Sequence, residues 1–127
     1  MSAFRYLLKT EGVEWECTKR PVPKFEDDGN GGRSTRQKID KATGYPVWTI
    51  EVTAFTNEED GSAVFPVSVA SSAMPDVAWR QPVEVVDLEI FPWASKDRRS
   101  GDVRQGVAFK AREVRPAGGH LSALSAA

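Results

Sequence analysis

Two clusters of cations are the residues with the clearest chemical potential in this chain of 127 residues. Arg33, Arg36, Lys38 and Lys41 follow one another with only Asp40 among them, and Lys96, Arg98, Arg99 and Arg104 recur with Asp97 and Asp102. Cations set along a groove neutralise phosphates and release their counterions, a local force that needs no excess of basic residues overall. It has to be local here, because the formal net charge is −1. Aromatic residues flank both clusters. Tyr45 directly follows the first, while Phe91 and Trp93 directly precede the second. A ring beside cations is a stacking platform for an unpaired base, and Tyr45 and Trp93 are the best-placed candidates. The plain structural alternative is a pair of solvated loops with aromatics sealing a barrel end, and Trp93 fits that equally well.

Acidic residues oppose a phosphate ligand in two places. Glu51 lies on the polar side of its segment, and Glu26, Asp27 and Asp28 open the first basic stretch, where they can pair with its own arginines. For catalysis the residues offer little. His120 sits near the end, Cys17 is the lone cysteine, and Glu58, Glu59 and Asp60 belong to a turn. These form neither a nucleophile–base pair nor metal-ligand spacing, so the expectation is no enzyme, no cofactor and no metal. The run Gly29 to Gly32 lacks the following lysine and helix of a phosphate-binding loop.

The elements that position the cations read as strands. From Tyr45 to Phe55, Trp48, Ile50, Val52 and Ala54 alternate with Thr49, Glu51, Thr53 and Phe55. Phe65, Val67 and Val69 alternate in the same way, and the acidic turn near Asp60 joins the two into a hairpin, with Pro66 at an edge or bulge. Val86, Leu88 and Ile90 mark one face of a further strand, and Val107, Phe109 and Ala111 one face of the last, with Lys110 and Arg112 opposite. Val13 to Phe25 reads as a first strand bent by Pro21 and Pro23. Phe4 to Leu8 reads as an edge strand or a helical turn, and Ser71 to Gln81 has room for about two helical turns from Pro75 and Asp76. Glu26 to Gly44 and Ala94 to Arg104 remain as long loops, and Pro116 is followed by a small-residue tail expected to be disordered.

The fold class expected is all-β: a small five-stranded OB-like Greek-key barrel with two long basic loops and at most a short helix between strands three and four. Loops joining strands one to two and four to five, with the face of strands two and three, are where such barrels hold oligonucleotides. One domain over residues 1–116 and a tail over 117–127 follow. A lone cysteine, no long apolar opening segment and no membrane-length apolar run point to a cytoplasmic protein outside the membrane.

The sequence from Lys38 to Pro116, above all Thr43-Gly44-Tyr45-Pro46 entering a strand and Gly106 to Ala111 near the end, resembles small proteins of actinobacterial integrative plasmids and, more distantly, filamentous-phage single-stranded-DNA-binding proteins. The resemblance implies an OB-type barrel, cooperative single-strand binding, a homodimer, and a role in replication, transfer or regulation. It carries over Lys38, Lys41, Tyr45 and Lys110. General bacterial single-strand binders end in an acidic tip that this chain lacks, so recruitment through such a tip is not implied. The expected contacts to single-stranded DNA are thus Arg33, Arg36, Lys38, Lys41, Tyr45, Trp93, Lys96, Arg98, Arg99, Arg104 and Lys110. The alternative is a protein-interaction or assembly module that pairs an edge strand with a partner.

Overall fold

The protein is described by a computed structural model over residues 6–8, 12–27, 32–56 and 61–118. Its strands are β1 (Tyr6–Leu7), β2 (Glu14–Pro23), β3 (Phe25–Asp27), β4 (Arg33–Gln37), β5 (Val47–Phe55), β6 (Ser62–Ala70), β7 (Pro82–Val86), β8 (Glu89–Lys96), β9 (Val103–Lys110) and β10 (Glu113–Pro116). No helix occurs among the described residues, so Ser71 to Gln81 holds no helical turns at Pro75 and Asp76 but an irregular connection. Phe4, Asp28, the 57–60 turn and His120 lie outside the described residues, as does the tail beyond 118.

The ten strands exceed the five expected because two of them bend and are each divided in two, and because the edge strand β1 and the β3–β4 pair are added. A single curled sheet runs β1-β8-β9-β6-β5-β2-β7-β10, and β3 and β4 form a separate pair. Counting β7 with β8 as strand four, and β9 with β10 as strand five, the order contains strand four beside strand one, followed by two and three. That is the Greek-key arrangement of a small all-β barrel. Strand five then runs parallel to strand three, with Val67 opposite Phe109 and Ser68 opposite Lys110.

Parity explains the bends. Ile50, Val52 and Val67 are fully buried, with Val69 and Ala54 nearly so, as alternation in the β5–β6 hairpin requires. In strand four, Val83 and Val85 are buried, and so is Leu88, so the inward face switches from odd to even positions. Asp87, at φ 50°, is the left-handed residue that makes the switch, which turns Val86 away from the core face it was expected to share with Leu88. Strand five switches likewise between Ala111 and Val114. Val107 is half exposed because that part of β9 has left the barrel wall.

The first strand accommodates its prolines through register shifts between Cys17, Lys19 and Val22 rather than by ending. Pro66 sits opposite Glu51, and pairing of β6 with β9 begins at the next residue, so its missing N–H falls where that edge is unpaired. Tyr6 and Leu7 form the edge strand, against Ile90 and Glu89.

Cys17 is fully buried on β2, and its thiol donates to the Lys19 carbonyl at 3.2 Å. Burial pushes the thiol's pKa up, and the nearby Glu16 and Glu51 add to this. The native protein at pH 8 is therefore expected to leave Cys17 unmodified by a thiol reagent, with full reaction only in denaturant. Rapid labelling of the folded protein would contradict this packing.

Candidate nucleic-acid interface

The two basic segments are not the bare loops their composition suggests. In the first, Phe25 pairs with Gln37 and Asp27 with Arg33, so Glu26 to Gly44 carries a small hairpin. Its register sets an acidic residue directly opposite a basic one. The turn that follows is tied by Asp40, whose carboxylate accepts the Thr43 amide at 3.1 Å and hydroxyl at 2.8 Å, and by Gly44, whose φ of 76° is a left-handed conformation suited to glycine. In the second, β8 continues through Lys96 and β9 starts at Val103, leaving only 97–102 as a turn. Asp97 Oδ1 accepts the Arg99 amide at 2.8 Å, and this bond to backbone lowers the Asp97 pKa. Alternation is hidden here because both faces of the ribbon's outer half are exposed.

The β8–β9 ribbon is thus an arm. Beyond the contact at Phe109 and Lys110 it is not paired with β6, and β1 covers only the base of its other edge. Phe109 faces the core, so residues of opposite parity face outward: Lys110 at the base, Ala108 beside Phe91, Gly106 beside Trp93, and Arg104 beside Ser95. Trp93 lies across Gly106. A Cβ built on that glycine would stand 2.9 Å from the indole, so the absence of a side chain is what lets the ring lie flat on the arm. The ring remains 45% exposed. Lys96, Arg98, Arg99 and Arg104, all exposed, lie at the arm's tip beyond Trp93, Arg104 on the same face as the indole and Lys96 on the other.

The other candidates sit elsewhere. Lys38 and Lys41 are exposed beside the Asp40 turn, Arg36 is exposed on β4, and Arg33 is a β4 residue. Tyr45, 46% exposed, follows that turn at the opposite end of β5 from Phe55. Among the described residues Lys110 ties β9 to the first segment, its ammonium meeting Asp40 Oδ1 at 3.2 Å, so that it anchors the Asp40 turn while its side chain stays partly exposed. From Lys110 to Val103 the arm runs seven residues, about 23 Å at the usual rise of a strand, so the two basic clusters occupy opposite ends of β9 and do not merge.

The outer face between them is more apolar than a solvated sheet needs. Phe55, Val64 and Pro66 are exposed there, beside Thr53 and Glu51. Glu51, which the sequence places against a phosphate ligand, has a carboxylate oxygen that accepts the Thr18 hydroxyl at 2.9 Å. A groove of about 710 Å³ on the far side of β2, lined by Glu14, Glu16, Glu84 and Asp87 among others, has the wrong sign for a polyanion.

Sequence reasoning missed Gly106, whose role shows only once the register pairs it with Trp93, and it missed Trp79. Trp79 is 59% exposed, and the Arg80 guanidinium lies 5.6 Å from its ring centroid. Arg80 holds φ 68°, a conformation that costs a side-chain-bearing residue about 1 kcal/mol or more. The turn is fixed to β2, with the Arg80 amide on the Cys17 carbonyl at 2.7 Å and the Cys17 amide on the Gln81 carbonyl at 2.9 Å. A sequence signal existed, in a tryptophan next to an arginine outside any periodic segment.

Comparison with known protein families, characterised proteins and solved structures finds no match to this chain, so its function is argued from the geometry above. Among the described residues, no helix is long and apolar enough to cross a membrane.

Two measurements test the site's construction. Gly106→Ala is expected to lift the Trp93 ring and raise its quenching by acrylamide, with a stability change of about 1 kcal/mol or less because the arm is exposed. Unchanged quenching would show that the ring does not rest on Gly106. The Asp40 carboxyl is held below its ordinary value of 3.8, chiefly by the Thr43 hydroxyl and then by Lys110. Its folded pKa being depressed, the turn is stabilised above the ordinary value and loses that support as pH falls through the folded one. A side-chain NMR titration should place Asp40 below 3.8, and a titration at or above it would remove the Thr43 and Lys110 contacts from the account.

Proposed function

We propose that the protein binds single-stranded nucleic acid, with the β8–β9 arm as its principal contact. The observation that carries this reading is the outer face of the arm, where an exposed indole lies on a glycine and Arg104 shares its face, with Arg98 and Arg99 in the turn beyond and Lys96 on the other face of the tip. A flat ring offers stacking to any base, and flexible cations around it offer charge to any backbone, a combination that favours unpaired strands without demanding a sequence. The exposed Phe55, Val64 and Pro66 on the neighbouring wall extend the apolar contact available to bases. Lys38, Lys41 and Tyr45 at the other end of β9 supply a second contact for a longer strand. DNA is the form suggested by the resemblance to plasmid and phage single-strand binders, and a role in plasmid or phage replication, transfer or regulation belongs to the same proposal.

A protein-assembly role is favoured by a different observation. The arm's inner side continues the core face outward with Val107 and Val103 exposed, and its outer half has free edges. A two-stranded ribbon gains stability from a covering surface, so a second copy of the chain is a natural partner.

Fluorescence anisotropy separates the readings. Labelled single strands should bind in preference to duplex, more weakly as salt rises. Replacing Arg98, Arg99 and Arg104 with alanine should weaken binding and reduce the slope of log K against log salt by about two to three. Trp93→Ala should cost about 1–3 kcal/mol of binding with the slope nearly unchanged. No binding of single strands at low salt, with concentration-dependent self-association, would replace the nucleic-acid reading with the assembly one.

A further inference from the structure

The β8–β9 arm has two long edges, and the fold protects one of them. Parity assigns the backbone groups. At the tip the Asp97 amide donates to the Asp102 carbonyl at 2.8 Å, and past the base the Ala111 amide donates to the Ser68 carbonyl at 3.0 Å. Even-numbered residues of β9 therefore direct their N–H and C=O toward β8, and odd-numbered ones toward β6. Pairing with β6 stops at Val67 with Phe109 and Ser68 with Lys110, so among the described residues Val103, Gln105 and Val107 present an unpaired edge. The arm's other edge, on β8, carries Pro92, which has no N–H to offer, and its base is paired with Tyr6 and Leu7. Pro66 blunts the facing edge of β6 in the same way. Proline and a covering strand are how sheets guard their edges, and neither device occurs between Val103 and Val107.

We propose that this edge pairs with the same edge of a second copy of the chain, antiparallel about a twofold axis at Gln105, and that each copy completes the other's Trp93 site. The interface stands on the edge geometry alone, whereas the completed site rests on the nucleic-acid reading. Opposed residues of an antiparallel pair share one face, so a twofold axis normal to the sheet passes through a residue position and not between two. Only Val103, Gln105 and Val107 have bonding groups to give, since Phe109 is taken by β6. Centring on Gln105 uses all three, and any other centre leaves at least one unpaired. Gln105 then faces Gln105 of the second copy and Val103 faces its Val107, giving about six backbone hydrogen bonds. The exposed Val103 and Val107 meet as β-branched pairs on the inner side. On the outer side the charges are complementary. Arg104 comes opposite Gly106 of the second copy, on which that copy's Trp93 lies, so a guanidinium meets an indole and no two like charges are opposed. The joined ribbons carry both indoles and both guanidiniums on one continuous face, a longer platform for an unpaired strand than either arm alone.

Cysteine cross-linking and sedimentation test the register and the shared site separately. In a hydrogen-bonded antiparallel pair the Cα atoms stand about 5.5 Å apart, within disulfide reach. On oxidation with diamide, Gln105→Cys should therefore give a covalent dimer, and Val103→Cys mixed with Val107→Cys a covalent heterodimer. Arg104→Cys, which faces Gly106 and not its own copy, should give little. The buried Cys17 leaves the wild-type protein as the uncross-linked control. In sedimentation velocity the wild-type protein should associate as its concentration rises. Gln105→Pro removes an edge N–H but none bonded to β8, and should move that association about ten-fold or more to higher concentration. Below the association range, the cross-linked Gln105→Cys dimer should bind a labelled oligothymidylate of about 12 residues about five-fold or more tightly than its reduced form. A wild-type protein that stays monomeric at millimolar concentration, or equal cross-linking at 104 and 105, would overturn the interface. Equal binding by the cross-linked and reduced forms would overturn the shared site. Cross-links of the expected pattern in a protein that binds no single strand would leave the interface standing, and the nucleic-acid reading would fail.

Discussion

The curl of the sheet about one core depends on one constraint: strand four must present apolar side chains inward from both of its halves while each half serves different neighbours. Its first half pairs with β2 and β10, and its second with β9 and β1. A regular strand cannot do this, because a fixed two-residue period keeps one parity throughout. The left-handed Asp87 resets the parity between Val85 and Leu88, so both halves contribute to one core with Ile50, Val52 and Val67. The matching switch in strand five lets Phe109 of β9, Ala111 just after it and Val114 of β10 face the same core. With the sheet curled in this way, the outer part of β8 and β9 has no further neighbour in the sheet and extends as an arm.

Much of the barrel was legible in the sequence where one face is buried and the other is not. The alternation of Ile50, Val52 and Ala54 with Glu51 and Thr53 identified β5 and its partner β6, and Leu88 and Phe109 were placed on the core side. Val86 was misplaced because a parity switch leaves no trace in composition. Val85, Val86 and Leu88 are all apolar, and only the backbone at Asp87 distinguishes which of them face inward. The two basic segments read as loops because a ribbon exposed on both faces, such as Ala94 to Lys96 against Val103 to Gln105, has no apolar side to alternate.

The candidate site was legible in its chemistry but not in its arrangement. Trp93 and the cations of the arm were identifiable by type and proximity, and the structure gathers them on one element. Tyr45, Lys38 and Lys41 were grouped with them because a barrel of the expected kind sets its two loops side by side, and the register separates them by the length of β9. Lys110 entered through the resemblance, and its pairing with Asp40, seventy positions away, was not visible in the sequence. Gly106 and Trp79 acquire meaning only from cross-strand neighbours. In each of these cases the missing information is pairing, which single-sequence periodicity does not contain.

Charge and shape would confine the proposed nucleic-acid contact to particular surfaces of a near-neutral molecule. Cations at the arm's tip are set against acids that line the opposite groove, so orientation on a strand follows from where the charge lies and not from its total. The most direct test of this account is an NMR titration of the labelled protein with a single-stranded oligonucleotide, following backbone amides and the indole N–H resonances. The account predicts shifts concentrated on Phe91 to Arg104 and on the Trp93 indole, with the Glu14, Glu84 and Asp87 groove unmoved. Shifts confined to that groove, or none at saturating oligonucleotide, would contradict it.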